Sequence, residues 1–200
     1  MPTFPKEQIL KGDWTGINIR QESQQISPKR EDSIQFKIIS DLKEGDYDLI
    51  YDDDYSGEIA DVITVKQYKE YINIQLYHLK FASTGKVARL VDDLYEVCGQ
   101  AVKSVNWKFK ESKEFFEHLL RRETKKRKGR SCSRIEQGCK EKIVYFKDIA
   151  RKGYPVEFEI FIVQPGLSAD HPSDEQLSLL AVVNSYLKGK GGIPLTVIGS

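Results

Sequence analysis

No stretch of the 200 residues approaches the roughly 18 consecutive apolar residues that a membrane helix needs, so no membrane partner is expected. Cysteine is scarce: Cys98, Cys132 and Cys139 are too few and too irregularly placed for a disulfide framework. Cys132 and Cys139 also lack a second ligand pair at zinc-site spacing, which argues against a structural zinc. Net charge is nearly absent. The 31 basic and 30 acidic residues almost cancel, so no global field draws the chain to nucleic acid, and any such binding must come from local patches. Low-complexity tracts and internal repeats are missing, and the opening MPTFPKEQILKGDW lacks the charged-then-apolar layout of a signal peptide. These absences predict a globular, cytoplasmic protein of a reducing compartment.

What is present is enough apolar residue, 40%, to bury a core, and the length fits one domain with elaborations. Residues 1–27 carry a glutamine and serine cluster, QESQQIS, and read as an irregular arm anchored by Trp14, Ile17 and Ile19. Residues 28–200 read as a single α/β domain. Ser27-Pro28 offers a serine cap and a proline at the first helical position, and Ile34, Ile38 and Leu42 then share one helical face. Three strands follow, over Tyr47–Tyr51, Glu58–Lys66 and Tyr71–Phe81. Helices are expected over Arg89–Val105, with Leu90, Leu94, Val97 and Val105 inward, and over Lys110–Lys128, with Ser131–Gly138 breaking the chain. A short helix over Lys142–Ala150 leads to a strand–helix–strand tail: Val156–Gln164, Asp174–Leu187 and Pro194–Ile198. A connection of that length, containing a helix, suits parallel or mixed pairing in one sheet. The expected fold is therefore an α/β sandwich: a mixed β-sheet flanked by helices.

Acidic residues gather at the turn between the first two strands. As a calcium loop, DDDYSGEIADVI fails at its twelfth position, where Ile63 stands in place of a bidentate glutamate. As a phosphate-binding loop, Ser83-Thr84-Gly85-Lys86 fails because Lys80 and Val87 occupy the required glycine and hydroxyl positions. A two-strand metal site fits better. Alternation along the third strand places His78 and Lys80 on one face, and a hairpin would bring Asp61 beside them. A hard cation such as magnesium would then take Asp61 and one or more of Asp52, Asp53, Asp54 and Glu58. Lys80 would stabilise charge on a phosphate or orient a water. The plainer alternative leaves Lys80 snorkelling and His78 in one satisfied hydrogen bond.

Asp61 and the His78-x-Lys80 pair, in this order of elements, resemble the PD-(D/E)xK nuclease family. That resemblance implies a restriction-endonuclease-like core of helix, three strands, helix and further strand, followed here by an added C-terminal helix–strand unit. It implies Asp61 and Lys80 as catalytic residues, and Glu31 as an extra acidic metal ligand on the first helix. His78 replaces the family's acidic residue, so it becomes a variant ligand or general base, and manganese joins magnesium as a candidate cofactor. A second resemblance rests on YDDDYSGEIADVI, LYHLK, ARLVDDLYEVCGQAVKSVNW, FFEHLLRRE, FEIFIVQPGLS and GIPLTVIGS. These segments are similar to the C-terminal region of large bacterial DEAD/DEAH-type helicases of restriction and phage-defence loci. A helicase motor or partner subunit is the implied partner; the chain itself carries no helicase motif.

One segment is strongly basic. Arg121, Arg122, Lys125, Lys126, Arg127, Lys128 and Arg130 read either as a solvated helix end or as contacts to a DNA backbone. The acidic face Asp92, Asp93, Glu96 and Gln100 is read as helix-dipole chemistry. Trp14 and Trp107 read as anchors, and His118 and His171 have no partners nearby in sequence. Two functions compete: metal-dependent DNA phosphodiester hydrolysis, and a non-catalytic DNA-binding or protein-docking module.

Overall fold

The computed structural model describes residues 3–200. Its centre is a seven-stranded mixed sheet in the order β1-β7-β6-β4-β3-β2-β5. These strands are β1 (Ile9–Lys11), β2 (Leu49–Asp52), β3 (Val62–Gln67), β4 (Ile72–Leu79), β5 (Ile135–Gln137), β6 (Val156–Val163) and β7 (Leu195–Gly199). The helices are α1 (Ile34–Lys43), α2 (Asp92–Ser104), α3 (Ser112–Glu123), α4 (Lys140–Arg151) and α5 (Asp174–Gly191). The α/β architecture expected from the sequence is present, in the order helix, three strands, helix, further strand, with α3, β5 and α4 inserted before β6.

The sheet divides at β4. On one side β4, β6, β7 and β1 run parallel; on the other β4, β3, β2 and β5 alternate in direction. Helical crossovers join β4 to β6 and β6 to β7, and non-helical connections join β2 to β3 and β3 to β4. Side-chain alternation splits each central strand between two cores. Ile72, Ile74 and Leu76 of β4 join Phe158, Ile160 and Ile162 of β6 in the larger core, with buried residues of α2, α3, α4 and α5. Tyr77 and Leu79 face the smaller core under α1, where Ile34, Ile38, Ile39 and Leu42 are buried and Trp14 and Ile17 of the arm pack against them.

Several boundaries differ from the sequence reading. The arm is not wholly irregular: Ile9–Lys11 adds an edge strand parallel to β7, and Trp14 Nε1 donates to the Gly199 carbonyl at 2.9 Å. The first helix starts at Ser33, whose Oγ accepts from the Phe36 amide at 3.1 Å, and not at Ser27-Pro28. That hydroxyl satisfies an otherwise orphaned donor of the first turn. Leu90 lies outside α2 and is exposed. The basic helix ends at Glu123, five residues short of Lys128, and Ile135–Gln137 forms strand β5 against β2 where only a break was expected. At the tail, Ser173 and Gln176 cap α5 reciprocally, and Gly192, with φ of 63°, closes it in the left-handed conformation that glycine adopts without cost.

Candidate metal centre

The ends of β2 and β4 and the start of β3 meet at one end of the sheet, and the loop Asp53–Asp61 crosses above them. The hairpin register places Val62 opposite Tyr77. Asp61, one residue earlier, donates its amide to the Tyr77 carbonyl at 3.0 Å and accepts the Leu79 amide on Oδ2 at 2.8 Å. Its carboxylate is thereby fixed against β4, next to the His78-x-Lys80 segment.

The loop then brings two more carboxylates to it. Single oxygens of Asp54, Glu58 and Asp61 all lie within 4.8 Å of one another. Asp54 is held by Ser23 Oγ on Oδ2 and by the Tyr55 amide on Oδ1, the latter at 2.7 Å. Three carboxylates this close resist simultaneous ionisation. Desolvation, then the Asp54 charge, pushes the Glu58 carboxyl up to about 7. Burial, then the Glu58 charge, holds Asp61 well above the usual carboxylate range despite the Leu79 hydrogen bond. Oxygen donors gathered in this way suit a hard divalent cation, which would supply the missing positive charge.

Lys80 continues from β4 and is largely buried. Its Nζ lies 2.8 Å from Glu96 Oε1 and 3.8 Å from Glu22 Oε2. Burial works against its charge, but the Glu96 hydrogen bond and the Glu22 charge prevail and keep its pKa high. Glu22 comes from the arm and accepts the Phe81 amide at 2.8 Å. Burial raises its pKa, and it senses the charges of Lys80, Asp54 and Glu96. The acidic face of α2 is therefore not only dipole chemistry, since Glu96 reaches the lysine.

Two expected ligands lie elsewhere. Glu31 is exposed on a turn before α1 and is not among the converging carboxylates. His78 is buried but is also not one of the converging groups. Its Nε2 lies 3.0 Å from Ser104 Oγ, and that hydroxyl donates its one hydrogen to the Ala101 carbonyl at 2.8 Å. The serine can then only accept, so Nε2 carries the proton and Nδ1 is the bare nitrogen. Burial pushes the His78 pKa down to about 3, and the ring stays neutral.

The basic segment divides in two. Arg122 and Arg127, expected on DNA, are buried. Arg122 pairs through Nε with the Asp53 carboxylate and donates to the carbonyls of Asp53, Asp54 (3.2 Å), Tyr55 (3.0 Å) and Ser56 (2.9 Å). Arg127 pairs with both carboxylate oxygens of Asp52, at 2.8 Å each, and Gln24 and Gln35 complete that carboxylate's shell. Arg134 adds a donor to the Asp54 carbonyl at 2.8 Å. The loop that presents Asp54, Glu58 and Asp61 is thus held by Arg122 and Arg134, while Arg127 holds Asp52 at the end of β2. Arg121, Lys125, Lys126, Lys128 and Arg130 remain exposed. Lys128 and Gly129, both with positive φ, form the tip of a tight hairpin closed by Arg127 and Arg130, as a type I′ turn requires.

Compared with known proteins, the chain matches no family model, no curated protein and no solved structure. The site must be read from its own chemistry. Sequence reasoning missed Glu22, Gln24, Gln35 and Arg134. Glu22 and Gln24 lie inside the polar QESQQIS cluster, and that local polarity was the only signal they gave.

Proposed function

We propose that this domain hydrolyses phosphodiester bonds of nucleic acid with a divalent metal, magnesium or manganese, held by Asp54, Glu58 and Asp61. The convergence of those three carboxylates, with Asp61 anchored to the Leu79 amide one residue before Lys80, is the observation that supports this reading. The metal would polarise a phosphoryl oxygen or lower the pKa of a bound water. Asp61, anchored on the β3–β4 hairpin, fixes the ligand set to the sheet. Lys80 carries the cation suited to the negative charge that develops on phosphate. Glu96 and Glu22 position that lysine and keep it protonated. His78 stands outside the ligand set in this arrangement: it is not among the converging groups, and its Nε2–H is committed to Ser104. The restriction-endonuclease-like core, and a setting beside a helicase motor in phage defence, are carried by the resemblances of the sequence.

One observation favours a second reading. Lys80 is paired with Glu96, and a neutral histidine stands where the resembled nuclease family carries an acidic ligand. A non-catalytic module would keep this geometry and bind nucleic acid or protein instead. Incubation of the full chain with plasmid, linear and single-stranded DNA in magnesium or manganese separates the two. Cleavage lost in both Asp61→Asn and Lys80→Ala supports the hydrolase. Wild type that leaves every substrate at the level of these variants eliminates it for those substrates.

A further inference from the structure

Beside the carboxylates, between the loop and α2, lies a cavity of about 490 Å³, within the roughly 300–1,000 Å³ of small-molecule sites. Glu58 belongs to both the carboxylate cluster and the cavity wall, so a ligand in the cavity abuts the proposed metal. The remaining wall includes His78, Gln100, Lys103, Trp107 and Lys110. Trp107 is held edge-on by Phe115 and His118, with ring centroids 5.8 Å and 5.1 Å away. Lys110 Nζ lies over the Trp107 ring, 3.9 Å from its centroid. Gln100 also lines the cavity.

An anchored indole face offers stacking, which every nucleobase can accept. Exposed Lys103 and Lys110 supply cations for a phosphate. We infer that the cavity receives one unpaired nucleotide: its base lies against Trp107, and its phosphate lies toward Glu58 and the metal. Lys110 is exposed, so a base displaces it from the ring and leaves its ammonium close to the backbone. This inference rests on the hydrolase reading and narrows it: the substrate is single-stranded or locally everted, not intact duplex.

The test measures binding of labelled decathymidylate, decauridylate and a ten-base-pair duplex to the full-length Asp61→Asn chain, with magnesium and with EDTA. Single strands should bind at least about tenfold more tightly than duplex. Trp107→Ala should remove roughly that factor, the size of one base–aromatic stack. The decathymidylate and decauridylate arms separate DNA from RNA. Because Trp107→Ala also removes packing, Lys103→Glu with Lys110→Glu provides an exposed alternative and should lower single-strand affinity by a similar factor. Equal single-strand and duplex affinities, or single-strand affinity unmoved by both variants, overturn the inference. If duplex is cut at the wild-type rate when Trp107 is Ala in the otherwise native chain, the cavity fails and the hydrolase reading stands. If no cleavage occurs anywhere but Trp107-dependent single-strand binding persists in EDTA, the hydrolase fails and the cavity stands.

Discussion

Two sets of carboxylates share one short loop and meet opposite fates. Asp52 and Asp53 are buried, each against its own arginine; Asp52 also accepts from Gln24 and Gln35, and Asp53 from the Ile59 amide. Asp54, Glu58 and Asp61 converge without an arginine ion pair, and two of them have pKa values pushed upward. A compensated buried charge holds structure; an uncompensated cluster is a strained arrangement that a cation would relieve. The arginines make the second set possible, since Arg122 and Arg134 bind the backbone carbonyls from which Asp54 and its neighbours project.

The comparison breaks most visibly at Arg122. Arg122→Ala leaves Asp53 buried without its partner and removes donors from four carbonyls, so a loss of about 3–5 kcal/mol is expected in urea unfolding. Replacing a buried ion pair with apolar groups is often neutral. Here the double variant Arg122→Met, Asp53→Leu should stay well below wild type, because the carbonyls remain unpaired. Recovery of wild-type stability in the double variant would show that the ion pair alone matters.

The unpaired set predicts the reverse. Asp61→Asn keeps an acceptor for the Leu79 amide and removes repulsion, so without metal it should be at least as stable as wild type. With metal the order should invert. A cation at 100 times its dissociation constant adds about 2.7 kcal/mol, which in a chain of this size is a Tm rise of about 5 °C or more. Wild type should show that rise in manganese or magnesium, and Asp61→Asn should not. A rise of equal size in both chains would place the ion elsewhere.

These contrasts explain what was legible in the sequence. The central strands β2, β3 and β4 and the inward residues Ile34, Ile38, Leu42, Leu94 and Val97 follow from periodicity, which is local, whereas the edge strands β1 and β5 and the exposure of Leu90 do not. The approach of Asp61 to β4 followed from hairpin register, and Asp54 and Glu58 from proximity in the chain. What failed was long-range. Nothing in RRETKKRKGR distinguishes Arg122 and Arg127 from their exposed neighbours, because their partners lie about 70 residues earlier. Glu22 reaches Lys80 only because the arm folds back over the sheet end. Glu31 was placed on a helix that begins three residues later, at Ile34.

Acidity separates Glu58, exposed on the loop, from the buried His78 by a smaller amount. Glu58 has a folded pKa of about 7 against an ordinary 4.5, so the unfolded chain gives up its proton first. Its contribution to stability is therefore present below about pH 4.5 and lost as pH rises toward 7. His78 runs oppositely. With a folded pKa of about 3 against 6.5, its stabilising contribution is present above pH 6.5 and lost as pH falls. Relative to wild type, Glu58→Gln should gain stability from pH 4.5 to 7, and His78→Asn should gain as pH falls from 6.5. Parallel stability–pH curves for wild type and Glu58→Gln would remove Glu58 from the coupled cluster.

The smallest effect concerns the cations that the fold leaves free. Lys125 and Lys126 sit between Arg122 and Arg127 in sequence, yet neither is buried, and each projects from the turn that links α3 to the Arg127–Arg130 hairpin. Surface substitutions away from caps and cores usually change stability by no more than about 0.5 kcal/mol. Lys125→Glu with Lys126→Glu should therefore unfold at the wild-type urea concentration. If these lysines neutralise phosphates, nucleic-acid affinity should fall and its salt dependence should flatten, by about one unit of slope for each duplex phosphate no longer neutralised. A loss of stability approaching that of Arg122→Ala would mean that the whole basic run is one buttress, and the division between gripping and free cations would collapse. Unchanged affinity with unchanged stability would leave the cavity lysines, Lys103 and Lys110, as the cations that meet a nucleic-acid backbone.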